Sequence, residues 1–77
     1  MDVKQMTYIV TIAQEGGISR AATKLFITQS ALDQQLLKLE HELDTPLFYR
    51  SKTSCTPTEA GRVYIEYAQR ILALKDE

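Results

Sequence analysis

The stretch ISRAATKLFITQSALDQQLLKLEHEL, Ile18 to Leu43, decides the fold, because it reads as two helices joined by a turn so short that they must cross. Ser19 stands where it can N-cap RAATKL, whose paired Ala21 and Ala22 permit another helix to approach closely. Phe26 and Ile27 interrupt that helix, and Thr28 then caps a second one. In the second, Leu32, Leu36, Leu39 and Leu43 recur at spacings of four, three and four, which sets them on one narrow stripe. The face opposite is polar. Ser30, Gln34 and His41 lie there, flanked by Gln29, Asp33 and Lys38 and interrupted by Leu37. A short helix crossing a longer one whose outer face carries hydrogen-bonding side chains is a helix-turn-helix, the arrangement that reads base edges in a major groove.

Beyond Leu43 the chain runs DTPLFYRSKTSCTPTEAG, where Pro46 bars further helix and Leu47 with Phe48 begin an extended run. Ser51 to Ser54 are turn formers before Cys55 and Thr56, so a two-stranded hairpin, a wing, is expected over about residues 46–57. Arg50 and Lys52 flank its tip, with Thr53 in the same turn, at a distance that lets them reach the phosphate backbone or minor groove beside the site the second helix reads. Upstream, Asp2 can cap a helix with a stripe of Met6, Ile9, Val10 and Ala13, widened by Tyr8 and Ile12 and ended by a left-handed Gly16. That helix is scaffold, and Tyr8 is a core or interface aromatic.

A last, long helix starts at Thr56, with Pro57 at N1 and Glu59 completing a capping box, or two residues later at Thr58. Tyr64, Ala68 and Ile71 form its central stripe, with Ile65 and Leu72 on one flank and Val63, Tyr67 and Leu74 on the other. An arc this wide exceeds the roughly 100° that covers one small domain, so one flank is expected to face a second copy of the chain. Gly61, costly inside a helix, implies close packing against it.

These segments carry a family resemblance. Arg20 with Ala21 and Ala22, Gln29, Ala31 with Leu32, Leu39 with Glu40, Leu47 with Phe48, Arg50, and Thr58 with Ala60 and Gly61 resemble, in register from about Asp2 to Leu72, the N-terminal winged helix-turn-helix domain of LysR-type transcriptional regulators. The resemblance implies a bacterial DNA-binding domain that dimerises through its last helix and continues into a larger effector-binding region. On that reading the chain is a fragment or truncated form, and any small-molecule effector acts only through the absent C-terminal region. This chain departs from the pattern where it has Ser30, Asp33, Gln34, Leu37 and Asp44 in place of proline, serine, arginine, a basic or polar residue and glycine.

The fold class expected is mainly α: a winged helix-turn-helix of three helices and a two-stranded wing over residues 1–58, its helix-turn-helix at about 18–37, then a linker or dimerisation helix over 59–77. Seventy-seven residues make one small domain, near the size at which partners often supply part of the stability. No stretch is long enough to cross a bilayer and the N-terminus does not form a signal peptide, so a cytoplasmic protein is expected. Cys55 is the only cysteine and His41 the only histidine, which leaves neither an internal disulfide nor a metal-ligand set; no cofactor is expected.

The formal charge of -1 argues against a polyanionic partner, but its distribution argues back. Arg50, Lys52 and Arg62 against Glu59 give residues 49–62 a net +2, whereas Asp33, Glu40, Glu42 and Asp44 against Lys38 give residues 28–48 a net -3. The acidic excess belongs to the far half of the second helix, which in the resembling fold points away from the groove. The domain alone should bind duplex DNA weakly and in a salt-sensitive way.

The candidate DNA-binding residues are Thr28, Gln29, Ser30, Asp33, Gln34, Arg50, Lys52 and Thr53. Gln29 leads, because glutamine can bond adenine N6 and N7 bidentately. Thr28 caps the helix whose free first-turn amides can bind a phosphate. Asp33 repels phosphate unless it accepts from a cytosine amino group or orients a neighbouring donor; a phosphate-facing, affinity-tuning role is the reading favoured. Leu37 can touch a thymine methyl or pack on a partner, and His41 is a solvated surface residue. Ser, His and Asp lie on one exposed helix or in turns without a pocket, so an enzyme is rejected. The competing reading is a winged helix kept as a protein-interaction or dimerisation module.

Overall fold

A computed structural model describes residues 2–75. Four helices, α1 (Val3–Glu15), α2 (Ile18–Leu25), α3 (Gln29–Leu43) and α4 (Glu59–Lys75), surround a two-stranded antiparallel wing of β1 (Phe48–Arg50) and β2 (Cys55–Pro57). The expected winged helix-turn-helix with its long last helix is the architecture found.

Local chemistry sets most of the boundaries. Asp2 forms a full capping box, its side chain accepting from the Gln5 amide at 2.8 Å while the Gln5 side chain accepts from the Asp2 amide at 3.2 Å. Gly16 ends α1 at φ 78, a conformation glycine adopts without steric cost. Thr28 caps α3 by accepting from the Ala31 amide at 3.0 Å. The cap of α2 differs from expectation. Gly17 precedes the helix in an extended conformation with no side-chain cap, so Ser19 already lies inside the first turn. At the other end of α2, Phe26 adopts the left-handed conformation at φ 59, which turns the chain toward α3.

The core is the meeting of α1, α2, α3 and the wing. Ile9 and Ile12 pack with Ala21, Ala22 and the leucines of α3, closed below by Leu47 and Phe48. Leu32, Leu36 and Leu39 are inaccessible to solvent, but Leu43 is exposed, because α3 runs past the core before Asp44 ends it in a left-handed C-cap at φ 56. The inward stripe therefore holds three leucines rather than four. A smaller cluster of Met6, Val10 and Ala68 seats α4 on α1, with Tyr64 and Leu72 at its rim.

Thr58 is the joint between wing and α4. Its hydroxyl donates to the Pro46 carbonyl at 2.8 Å and accepts from the Gly61 amide at 3.0 Å, so the helix starts here. The alternative start at Thr56 is not used: Pro57 pairs with Phe48 in the hairpin, at an edge where a missing N–H does no harm. Gly61 lies against Leu47, whose carbonyl oxygen would be 1.8 Å from a Cβ at this position, too close for any other residue without moving the backbone. The close packing read from the sequence is of α4 onto the start of the wing.

Candidate nucleic-acid interface

The N-terminal ends of α2 and α3 face the wing across an open cleft of about 640 Å³. Its walls are Gly17 to Arg20, then Gln29, Ser30 and Asp33, then the wing from Arg50 to Cys55. The Cys55 amide holds the two sides together by donating to the Gly16 carbonyl at 2.9 Å, which ties β2 to the α1–α2 turn. Burial of Cys55 pushes its thiol above the ordinary value, against a smaller opposing pull from Arg50. Ser51 builds the wing tip. Its amide donates to the Ser54 carbonyl at 2.9 Å, and its hydroxyl accepts from the Thr53 and Ser54 amides, leaving Lys52 and Thr53 exposed at the turn.

Five of the proposed contacts thus share one concave surface with Thr53 as a sixth: Gln29, Ser30, Asp33, Arg50 and Lys52. Thr28 and Gln34 are exposed but lie outside the walls. The Gln29 Nε2 donates to the Ser19 hydroxyl at 3.2 Å. That bond uses one amide hydrogen and leaves the second, with Oε1, free to meet a base edge. The amides of Gln29 and Ser30 precede the first hydrogen bond within α3, so the positive end of the helix opens on the same space. Leu37 and His41 sit elsewhere, around a shallow depression with Asp44 and Pro46.

Arg50 is placed differently from a wing-tip cation reaching outward. Its Nη1 pairs with Asp33 and its Nη2 donates to the Glu40 carboxylate at 3.3 Å. Glu40 in turn accepts from the Leu47 amide at 2.6 Å and the Phe48 amide at 3.4 Å. Asp33 and Glu40 are two helical turns apart on α3, so one guanidinium bridges both and fastens the wing to the helix. Glu40 had no role in the sequence reading beyond its place in the Leu39–Glu40 pair. Arg20, which in the sequence carries only the family resemblance, also lines the cleft, as does Ser19. The cleft carries Arg20, Arg50 and Lys52 against Asp33 alone, while Glu42 and Asp44 lie away from it. The charge separation expected along the chain is therefore also a separation in space.

On α4 the residues expected to pair copies divide in two. Ala68 is buried against α1, with Tyr64, Ile65 and Leu72 half-buried beside it, so these four serve first their own domain. Burial pushes the Tyr64 phenol above its ordinary value, with Asp2 adding repulsion. Val63, Tyr67, Ile71 and Leu74 remain exposed, Tyr67 at 57% and Leu74 at 70%. Their spacing of four, four and three makes them a single stripe facing outward.

Comparison with known proteins bears on this geometry. Residues 3–62 match the family model described as "Bacterial regulatory helix-turn-helix protein, lysR family". A probable RuBisCO transcriptional regulator of Emiliania huxleyi is 44% identical over 73 residues, covering 95% of this chain and 23% of that protein. The HTH-type transcriptional regulator BudR of Klebsiella aerogenes is 43% identical over 76 residues, covering 99% of this chain and 53% of that one. The chain thus spans between about a quarter and a half of these curated relatives. Among solved structures, the DNA-binding domain of CbnR, crystallised in complex with DNA, superposes with a TM-score of 0.93 at 33% identity, covering 99% of this chain and 87% of that one. No helix among the described residues is long and apolar enough to cross a membrane. With its helix-turn-helix, wing and long fourth helix all falling within or beside the matched segment, the chain belongs to the LysR family of bacterial regulatory helix-turn-helix proteins.

Proposed function

We propose that this chain is the sequence-reading DNA-binding domain of a bacterial transcriptional regulator, with the first turn of α3 in the major groove and the wing tip on the adjacent backbone or minor groove. The observation that carries this reading is the cleft itself, where a free helix end, Gln29, Ser30 and three cations converge on one open surface. Gln29 reads a base edge; Thr28, Ser30, Gln34, Lys52 and Thr53 fix the register on phosphates and neighbouring bases. The CbnR complex supports the assignment by the likeness of its fold. The domain acts in the cytoplasm, as a homodimer paired through the outward stripe of α4, so that two recognition helices meet two half-sites. An effector acts through the further region that the longer relatives possess. The work is binding rather than catalysis.

A second reading, a protein-interaction module, is favoured by exposed Leu37, half open to solvent beside the acidic end of α3. Salt separates the two. Affinity for duplex DNA should fall steeply and linearly in logarithm with logarithmic salt, by about 0.9 units for each phosphate neutralised. Salt-insensitive association with a protein and no measurable duplex binding would instead establish the interaction module.

A further inference from the structure

The bridge from α3 to the wing sets the Asp33 carboxylate on a cation that lines the cleft. Asp33 and Arg50 both line the cleft, and the Arg50 Nη1 is engaged by Asp33. The guanidinium has a second and deeper anchor. Glu40, with a side chain only 12% exposed, holds Nη2 and is itself fixed by the Leu47 and Phe48 amides, whereas the Asp33 side chain is 39% exposed. Of the two carboxylates, Asp33 is the exchangeable one: an ion pair at this exposure is weak, and losing it leaves Arg50 still held by Glu40.

We propose that Asp33 is an affinity-setting residue that occupies, as an intramolecular stand-in for a backbone phosphate, the edge of Arg50 that faces the cleft. This deepens the DNA-binding reading and rests on it. A phosphate approaching the wing must displace Asp33 from Arg50, so the cation contributes less to duplex binding than its position suggests. Asp33 thereby acts through Arg50 and not through a base. It lowers affinity for every duplex alike, which leaves discrimination to Gln29. A domain tuned in this way depends on pairing with a second copy to hold its site.

The test is a cycle of four chains, the parent, Asp33→Asn, Arg50→Gln and the double variant, binding a random-sequence duplex between 50 and 200 mM NaCl. Thermal unfolding of each confirms that it folds. Asp33→Asn should tighten binding and steepen the salt dependence by about one unit, so that its gain is about three- to fourfold larger at 50 mM than at 200 mM. With Arg50→Gln in place, the same substitution should give no gain. A gain that persists without Arg50 would mean that Asp33 merely repels phosphate and would overturn the proposal. Weaker binding by Asp33→Asn would overturn it in the other direction, making the pair a strut that DNA binding needs. If Arg50→Gln fails to fold, Arg50→Met, which keeps the length of the side chain without its charge, takes its place in the cycle; an unchanged or shallower slope for Asp33→Asn alone already contradicts displacement. Parent chains that bind no duplex at all would overturn the DNA-binding reading itself, and this inference with it; a parent that binds, with the slope unchanged in Asp33→Asn, overturns only the inference.

Discussion

The outer face of α4 and the cleft between α3 and the wing are both open to solvent, but they expose opposite chemistry. On α4, Val63, Tyr67, Ile71 and Leu74 form a continuous apolar stripe, its charged neighbours held in local pairs such as Arg62 with Glu59 and Arg70 with Glu66. Those pairs are one helical turn apart, and the Arg62 hydrogen bond holds the Glu59 carboxyl below its usual range. In the cleft the polar groups meet across long stretches of chain: Arg50 reaches back 17 residues to Asp33 and Gln29 reaches back 10 to Ser19. An apolar stripe needs only helical periodicity, and any copy of the same helix can complete it. A cleft that reads a duplex needs several elements held at fixed distances, so it tolerates less.

Gly61 joins the two regions, and its replacement should have the largest effect. In Gly61→Ala the new methyl overlaps the Leu47 carbonyl, so the start of the wing or α4 must move, at a cost of about 3 kcal/mol. Urea unfolding measures this, and the displaced wing should also weaken duplex binding beyond the loss explained by unfolding. Next in size is Tyr67→Ala, which should weaken self-association by about 2 kcal/mol in sedimentation equilibrium while the unfolding midpoint of the dilute chain stays unchanged. A lowered midpoint with unchanged association would place Tyr67 in the domain's own stability and remove the contrast drawn here.

Within the cleft, Gln29→Ala should cost at least about 1 kcal/mol on a preferred duplex and relax the preference at one base pair per half-site. Lys52→Ala should instead weaken binding to all sequences and reduce the salt slope by about one unit. Equal, sequence-independent losses from both would erase the division between reading and positioning. The smallest effect concerns Phe26, 94% exposed and left-handed at the α2–α3 turn. Phe26→Asn should raise stability by about 0.5 kcal/mol, because asparagine tolerates this backbone conformation better and no packing is given up.

Which of these features could be read from the sequence follows from how far each interaction reaches. Asp2, Gly16 and Thr28 act within a turn of their own helices, and their roles were legible for that reason. Ser19 satisfies the capping pattern as a serine before RAATKL, yet the helix already begins at Ile18 from the extended Gly17. Leu43 keeps perfect periodicity but stays outside the buried core, since periodicity reports a face and not where the core ends. Pro57 fitted a helix start and a strand end equally well, and the hydroxyl of Thr58 on the Pro46 carbonyl decides between them. The partnership of Arg50 with Asp33 and Glu40 left no local trace, because it depends on how far the hairpin folds back over α3.

Selection of bound duplexes from a random pool, run in parallel with the parent chain and Gln29→Ala, tests the central claim most directly. The parent should enrich a twofold-symmetric pair of half-sites, one helical turn or a multiple of it apart, and Gln29→Ala should enrich the same pair with one position per half-site relaxed. A pool that emerges from the parent as random as it went in would contradict sequence reading by this cleft.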